Sequence, residues 1–157
     1  MIAAAVAGFI VCLVAVVAFD AVQYTRHGPD PSSVAVQRPL TPMEVDASWI
    51  KSGNPVFTAN ETSRSYDGRT VTGLWSCTGP TTFEWQFGAD ETVHLLEGEV
   101  KVEYQGEKFT LRPGDTATFH GNTAAVWTID KYAKKVYTLH NVPRGGGLLR
   151  RLSPPAN

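Results

Sequence analysis

The residues best suited to chemistry are aromatic side chains that recur at alternate positions of the chain. Those in segment 82–87 share one face if the segment is a strand, because successive side chains of a strand point to opposite faces. The aromatic candidates for the wall of a ligand pocket are Trp75, Phe83, Trp85, Phe87 and Trp127. Around one carboxylate, Glu91, such walls would bind a small amine, a sugar or a nitrogen-rich metabolite by stacking and cation–π contact. The alternative is that these rings pack the core of the domain.

The elements that would position these side chains are short strands separated by turn residues. From about residue 70 the hydrophobic pattern has a period of two. The predicted strands are 70–77, 82–87, 92–96, 99–104, 108–111, 116–119, 124–129 and 134–140. Gly98 and Gly114 are predicted turn positions with unusual backbone angles, and the Asp115 carboxylate is predicted to close its own turn. Many short strands with regular turns indicate an all-β sandwich or a closed barrel.

An uncharged run precedes these strands and predicts a membrane anchor. Residues 1–19 contain no Lys, Arg, Asp or Glu, and the run is about as long as one spanning helix requires. A cleaved signal peptide and a buried core helix are the alternatives, but there is no basic residue before the run and no amphipathic face. We therefore expect a single-pass membrane protein, in the inner membrane if the source is bacterial. Arg26 and Arg38 follow the run and favour a cytoplasmic domain by the positive-inside rule.

The predicted domain organisation has four parts. Residues 1–24 form the transmembrane anchor, and residues 25–48 form a linker rich in proline. Residues 49–142 form the β domain, and residues 143–157 form a C-terminal tail. At the end of the linker, Thr41 and Pro42 predict a short turn of helix that extends to about Lys51.

Composition excludes some classes of partner. The 157 residues include 14 Lys and Arg against 15 Asp and Glu, and the basic residues are scattered along the chain. A balance near neutrality argues against nucleic acid as a partner. Of the two cysteines, Cys12 lies in the uncharged run and Cys77 in a predicted strand. We predict that Cys77 is a small core residue.

Four segments, taken in order, give a specific family resemblance. Residues 90–100, DETVHLLEGEV, resemble the first signature of the cupins, and residues 111–119, LRPGDTATF, resemble the second. Residues 53–56, GNPV, and 74–80, LWSCTGP, are similar to the cupin subfamily named after the (S)-ureidoglycine aminohydrolase domain. The resemblance covers residues 50–137. It implies an all-β double-stranded β-helix, the cupin jelly-roll barrel, after the anchor and linker.

The resemblance also implies a metal site, and this sequence departs from it. Metal cupins use two histidines, a glutamate and a later histidine to bind Fe, Mn or Zn. The glutamate matches Glu91, but the histidine positions fall on Trp85, Phe87 and Ala125, which cannot coordinate a metal. Glu91 and His120 are the residues left as candidates for a metal, and His120 is also a candidate for the ligand pocket. We therefore expect no metal cofactor, with Mn, Fe or Zn at a rebuilt site as the alternative, and Glu91 as the candidate catalytic group if a reaction occurs.

Three functions are consistent with the sequence. The first is a membrane-tethered, metal-free cupin that binds a small ligand or acts as an accessory module of a membrane complex. The second is a metal-dependent hydrolase of a small ureido compound, similar to ureidoglycine aminohydrolase. The third is a sugar-metabolite enzyme or sensor. Family likeness also implies pairing of two copies as a homodimer.

Overall fold

The computed structural model describes residues 39–65 and 68–140 continuously, and also the helical residues Val14, Ala15, Ala18, Phe19 and Val22. The chain divides into two compact units, residues 1–34 and residues 35–157. Among the described residues no helix is long and apolar enough to cross a membrane. Most of the predicted anchor, most of the linker and the C-terminal tail after His140 lie outside the described residues.

The second unit is built of antiparallel strands, and its described part contains eleven of them. The strands are β1 (Thr41–Pro42), β2 (Ile50–Gly53), β3 (Phe57–Arg64), β4 (Val71–Thr78), β5 (Thr81–Phe87), β6 (Asp90–Gly98), β7 (Val100–Tyr104), β8 (Glu107–Leu111), β9 (Thr116–Phe119), β10 (Thr123–Ile129) and β11 (Tyr132–His140). One sheet has the order β1-β3-β4-β11-β6-β9, and the other has the order β2-β5-β10-β7-β8. Several neighbouring strands, such as β4 and β11 or β5 and β10, are distant in sequence, as a jelly roll requires.

The two sheets face each other and enclose an apolar core. Phe57 on β3 and Trp75 on β4 belong to one sheet, and both rings contact Phe83 on β5 of the other sheet. Successive side chains of a strand point to opposite faces, so β10 buries Ala125, Trp127 and Ile129 while the residues between them are partly exposed. The prediction of an all-β barrel is confirmed.

The turns follow the sequence prediction closely. Gly98 and Gly114 have φ of 81° and 98°, a region that favours glycine. The Asp115 carboxylate accepts the backbone N–H of Arg112 at 2.8 Å and so closes its turn. Cys77 is fully buried, as predicted for a core residue. Burial raises the pKa of its thiol to about 12.

The segment before β3 corrects the prediction of a helical turn from Thr41 to Lys51. Thr41 and Pro42 instead form β1 and pair with Ala59 and Thr58. A single 3₁₀ turn, Ala47–Trp49, follows, and it is capped by Asp46 rather than by Thr41. Three residues are the usual scale of a 3₁₀ turn.

Strand β3 was not predicted, although it is eight residues long. Its sequence, FTANETSR, is too polar to show a period of two along its whole length. A register shift between Glu61 and Ser63 also breaks the alternation. Pairing with β4 along its length supplies the hydrogen bonds that hold this polar strand in the sheet.

Candidate functional site

The five aromatic candidates lie together inside the barrel. Trp75, Phe83 and Trp127 are almost fully buried, and their ring centroids are 6.0–6.2 Å apart. Trp85 is partly exposed, and its ring centroid lies 5.9 Å from that of Trp75. Phe87 lies further along β5. It stacks on Phe119 with centroids 4.6 Å apart, and Phe119 in turn contacts Trp127. The predicted shared face therefore exists, and it is continuous with the core.

A buried ion pair lies against this aromatic cluster. Glu91 on β6 points inward, and its Oε1 is 2.6 Å from Nζ of Lys135 on the adjacent strand β11. The exposed fractions of the two side chains are 7% and 2%. Two opposite charges at this distance, with so little water around them, form a charge-assisted hydrogen bond.

The Lys135 ammonium lies over the faces of three tryptophans. Its Nζ is 4.4 Å from the ring centroid of Trp127, 4.9 Å from that of Trp75 and 5.9 Å from that of Trp85. These distances are within the range of cation–π attraction. Burial lowers the pKa of Lys135, and the adjacent Glu91 carboxylate opposes that shift. The cation held by the aromatic cluster in this structure is thus part of the same chain.

Two indole N–H groups in the cluster have no hydrogen-bond partner among the described residues. They are Nε1 of Trp75 and Nε1 of Trp127, and both atoms are buried. Buried donors in native proteins are nearly always paired with protein or with ordered water. The interior of the barrel therefore holds two donors that can be paired by a bound acceptor.

Polar side chains continue from the ion pair along the inner side of β11. Tyr137 is two residues beyond Lys135, and its hydroxyl donates a weak hydrogen bond of 3.5 Å to the carbonyl oxygen of Asn60. Burial raises the pKa of the Tyr137 hydroxyl, and the Glu61 and Glu91 carboxylates act in the same direction. Glu61 is exposed and accepts two hydrogen bonds from the Arg64 guanidinium. Polar groups therefore lead from the surface towards Glu91.

Gly73 on β4 makes room for this arrangement. A Cβ atom at this position would overlap the Tyr137 hydroxyl and the Asn60 carbonyl oxygen. Because β4 pairs with β11 and places Gly73 opposite Tyr137, any side chain here would displace the tyrosine. The glycine thus keeps the Tyr137 hydroxyl next to the backbone of β3.

His94 and His120 do not join Glu91. His120 follows Phe119, the residue that pairs with Glu91 across β9 and β6, and its side chain is 67% exposed. Its Nδ1 lies 3.6 Å from Oδ1 of Asp90. His94 is exposed and forms a hydrogen bond with Thr116. The structure places these imidazoles on the outside of the sheet.

Sequence reasoning missed Lys135 and Tyr137. The sequence held only a partial signal: Ala133, Lys135 and Tyr137 occupy alternate positions of one strand and so share a face, but nothing marks that face as the inner one. A register shift in the pairing of β11 with β6 occurs between Lys134 and Lys135. Of these two adjacent lysines, the pattern alone favours neither for the interior.

The residues of the interior do not fit a divalent transition metal. Trp85, Phe87 and Ala125 have no coordinating atoms, and the Glu91 carboxylate is already paired with an ammonium. In the part of the chain that the structure describes, no group of three His, Cys, Asp or Glu side chains has the geometry to hold a metal ion. A transition-metal site needs three or more such ligands.

Comparison with known proteins gives the barrel a family resemblance. Residues 64–137 match the family described as the EutQ-like cupin domain. A protein of unknown function from Pseudomonas syringae pv. tomato is 26% identical with a TM-score of 0.59, over 65% of this chain and 44% of that protein. No curated protein sequence matches the chain.

Two further solved structures share the fold. The EutQ protein of Clostridium difficile is 17% identical with a TM-score of 0.51, over 65% of this chain and 83% of that one. A putative ethanolamine utilization protein from Salmonella typhimurium is also 17% identical, with a TM-score of 0.52, over 68% of this chain and 98% of that one. The fold and the matched segment together make this barrel a cupin domain. Within the cupins it is related to the EutQ-like domain.

Proposed function

We propose that this protein is a membrane-tethered cupin module that binds a small ligand inside its barrel without a resident metal. The observation that carries the proposal is the Lys135–Glu91 pair among three tryptophans. Ligand pockets of β-barrels occur at the mouth of the barrel, and they combine apolar walls with a few polar groups.

The energetics of the ion pair support a binding role. Desolvation of two charges often exceeds their attraction, so an apolar core of the same volume is frequently as stable or more stable. Burial of Lys135 and Glu91 therefore stabilises the barrel no more than apolar side chains of the same volume would. In the described part of the chain, the buried N–H groups of Trp75 and Trp127 have no hydrogen-bond partner and lie in the same cluster as this pair. Both features are explained if a ligand brings an acceptor to the cluster. The partly exposed Trp85 provides a wall next to solvent.

Binding is tested by thermal unfolding of the purified full chain in mild detergent against a panel of small carboxylates, amines, ureido compounds and sugars. A ligand present at 100 times its Kd stabilises the folded state by about 2.7 kcal/mol. Stabilisation is expected for the native chain and for Lys134→Met, and it should disappear in Lys135→Met. Lys134 is a matched control because it is the adjacent lysine and pairs with Glu97 near the surface. If the three proteins respond alike to every compound, the barrel interior is not the binding site.

The same preparation tests the absence of a metal and the alternative hydrolase. Elemental analysis of protein purified without chelator should give far less than one equivalent of Mn, Fe or Zn. Near-stoichiometric metal that is lost in Glu91→Ala would overturn the metal-free proposal. That result would favour a metal-dependent hydrolase of a ureido compound.

The tether rests on the uncharged run at residues 1–19. The anchor would hold the domain at a membrane, where it can serve as an accessory module of a larger complex or pair with a second copy. The full chain should remain in the membrane pellet after extraction at alkaline pH. Val14→Arg places a charge in the run and should move the chain to the supernatant. Release of the native chain by this treatment would refute the tether.

A further inference from the structure

We infer that the Lys135 ammonium replaces the divalent cation of a metal cupin, as an internal cation covalently held by β11. This inference rests on the metal-free character proposed above and explains it. The proposed function is tested by stabilisation with small ligands, whereas this inference is tested by Co²⁺ affinity and by propylammonium rescue in other variants. Either proposal can therefore fail alone.

The placement of Lys135 is the first argument. Trp85 and Ala125, two of the positions that align with histidine ligands, lie directly opposite each other on β5 and β10. Phe87, the third position, is on the same side of β5 and stacks on Phe119, the residue paired with Glu91. The Lys135 Nζ contacts Glu91 and lies over the Trp85 ring. The ammonium therefore contacts two of the four positions, Glu91 and Trp85, and Ala125 lies opposite Trp85.

The chemistry of the surrounding groups is the second argument. Imidazole donates a lone pair to a metal, whereas an indole ring offers only the negative face of its π system, which suits an ammonium. One carboxylate also balances one positive charge. Histidine ligands suit a divalent ion, whereas the aromatic and apolar residues that stand in their place suit an ammonium.

Exclusion of a metal is the third argument. A zinc ion bound to Glu91 would lie about 2.0–2.2 Å from a carboxylate oxygen. Nζ of Lys135 is 2.6 Å from Oε1 of the same carboxylate. A zinc ion bound to the same oxygen, Oε1, would lie within about 5 Å of the ammonium, in a site shielded from water where repulsion between like charges is strong. Lys135 therefore blocks metal binding even where ligands are available.

This blocking is tested by rebuilding the ligand set. The triple variant Trp85→His, Phe87→His, Ala125→His is compared with the same triple variant carrying Lys135→Met, and with the triple variant carrying Lys134→Met as control. Co²⁺ binding is measured by calorimetry and by visible absorption. We expect Lys135→Met to raise Co²⁺ affinity at least about 100-fold above the other two, which should resemble each other. Equal affinity in folded samples of all three would overturn the inference.

A second test avoids new histidines, in case the triple variant does not fold. Lys135→Ala removes the ammonium and leaves space that propylammonium can fill, and Lys134→Ala is the control. Propylammonium chloride should raise the Tm of Lys135→Ala progressively with concentration. The rise should exceed that caused by sodium chloride or by 1-propanol, and Lys134→Ala should not share it. No rise beyond these controls would show that the cluster is not a cation site.

Discussion

Removal of either member of the buried ion pair should destabilise the fold far more than removal of both. The perturbations are Glu91→Gln, Lys135→Met and the double variant, each close in volume to the native side chain. At 2.6 Å and an effective dielectric constant of about 20, the attraction is about 6 kcal/mol. Desolvation costs several kcal/mol for each ion, so the net contribution of the pair is near zero. A single substitution leaves one buried charge without its partner.

We expect each single variant to lose about 3–5 kcal/mol of unfolding free energy. The double variant should lose less than either single variant and can be more stable than the native chain, because both desolvation penalties disappear. A small domain has only about 5–15 kcal/mol to lose, so the single variants will unfold at much lower denaturant concentrations.

The assay is urea unfolding at 25 °C followed by tryptophan fluorescence, since Trp75 and Trp127 contact the ammonium. The matched control is the exposed pair Lys134–Glu97, in the cycle of Lys134→Met and Glu97→Gln. Each control variant should change the unfolding free energy by less than about 1 kcal/mol. Additive losses in the buried cycle, or single losses as small as those of the control, would refute the reasoning.

Three other predictions follow from individual residues. Gly98→Ala should prevent folding or lower the unfolding free energy by more than about 4 kcal/mol, because its Cβ would overlap the Tyr132 carbonyl oxygen. Gly106→Ala has a similar φ but open space around it, so urea unfolding should show a loss of only about 1–2 kcal/mol. In a Cys12→Ser background, Cys77 should react with Ellman's reagent only on unfolding, since a pKa of about 12 leaves roughly one thiolate in ten thousand at pH 8. A fast reaction of the folded chain would contradict the burial of Cys77. Asp90 accepts a hydrogen bond from the backbone N–H of Gly121, which lowers the pKa of its carboxyl below the unfolded value, so it contributes stability above about pH 4 that is lost as the pH falls. Asp90→Asn should therefore reduce the fall in Tm between pH 6 and pH 3, and an unchanged fall would contradict this origin.

The sequence by itself predicted most of the barrel, because the signals are local. The strand β9 at Thr116–Phe119 was predicted with its observed bounds, and the others from β4 onwards within two residues at each end. Turn chemistry at Gly98 and Asp115 depends only on neighbouring backbone and was also predicted correctly. The polar strand β3 was missed because cross-strand pairing, rather than its own pattern, makes it a strand.

Only part of the candidate site could be predicted, because local signals place the aromatic residues and Glu91 but not their distant partner. Alternation along β5 placed Phe83 and Trp85 on one face, and the family resemblance singled out Glu91. Lys135 is 44 residues away from Glu91 in sequence, and β11 is adjacent to β6 only in the folded sheet. Charged residues are rarely buried unless they are paired, so a lysine alone predicts an exposed side chain. The tertiary structure brings Lys135 to its carboxylate and to the tryptophan faces, and only that arrangement supplies the attraction that offsets the cost of burying its charge.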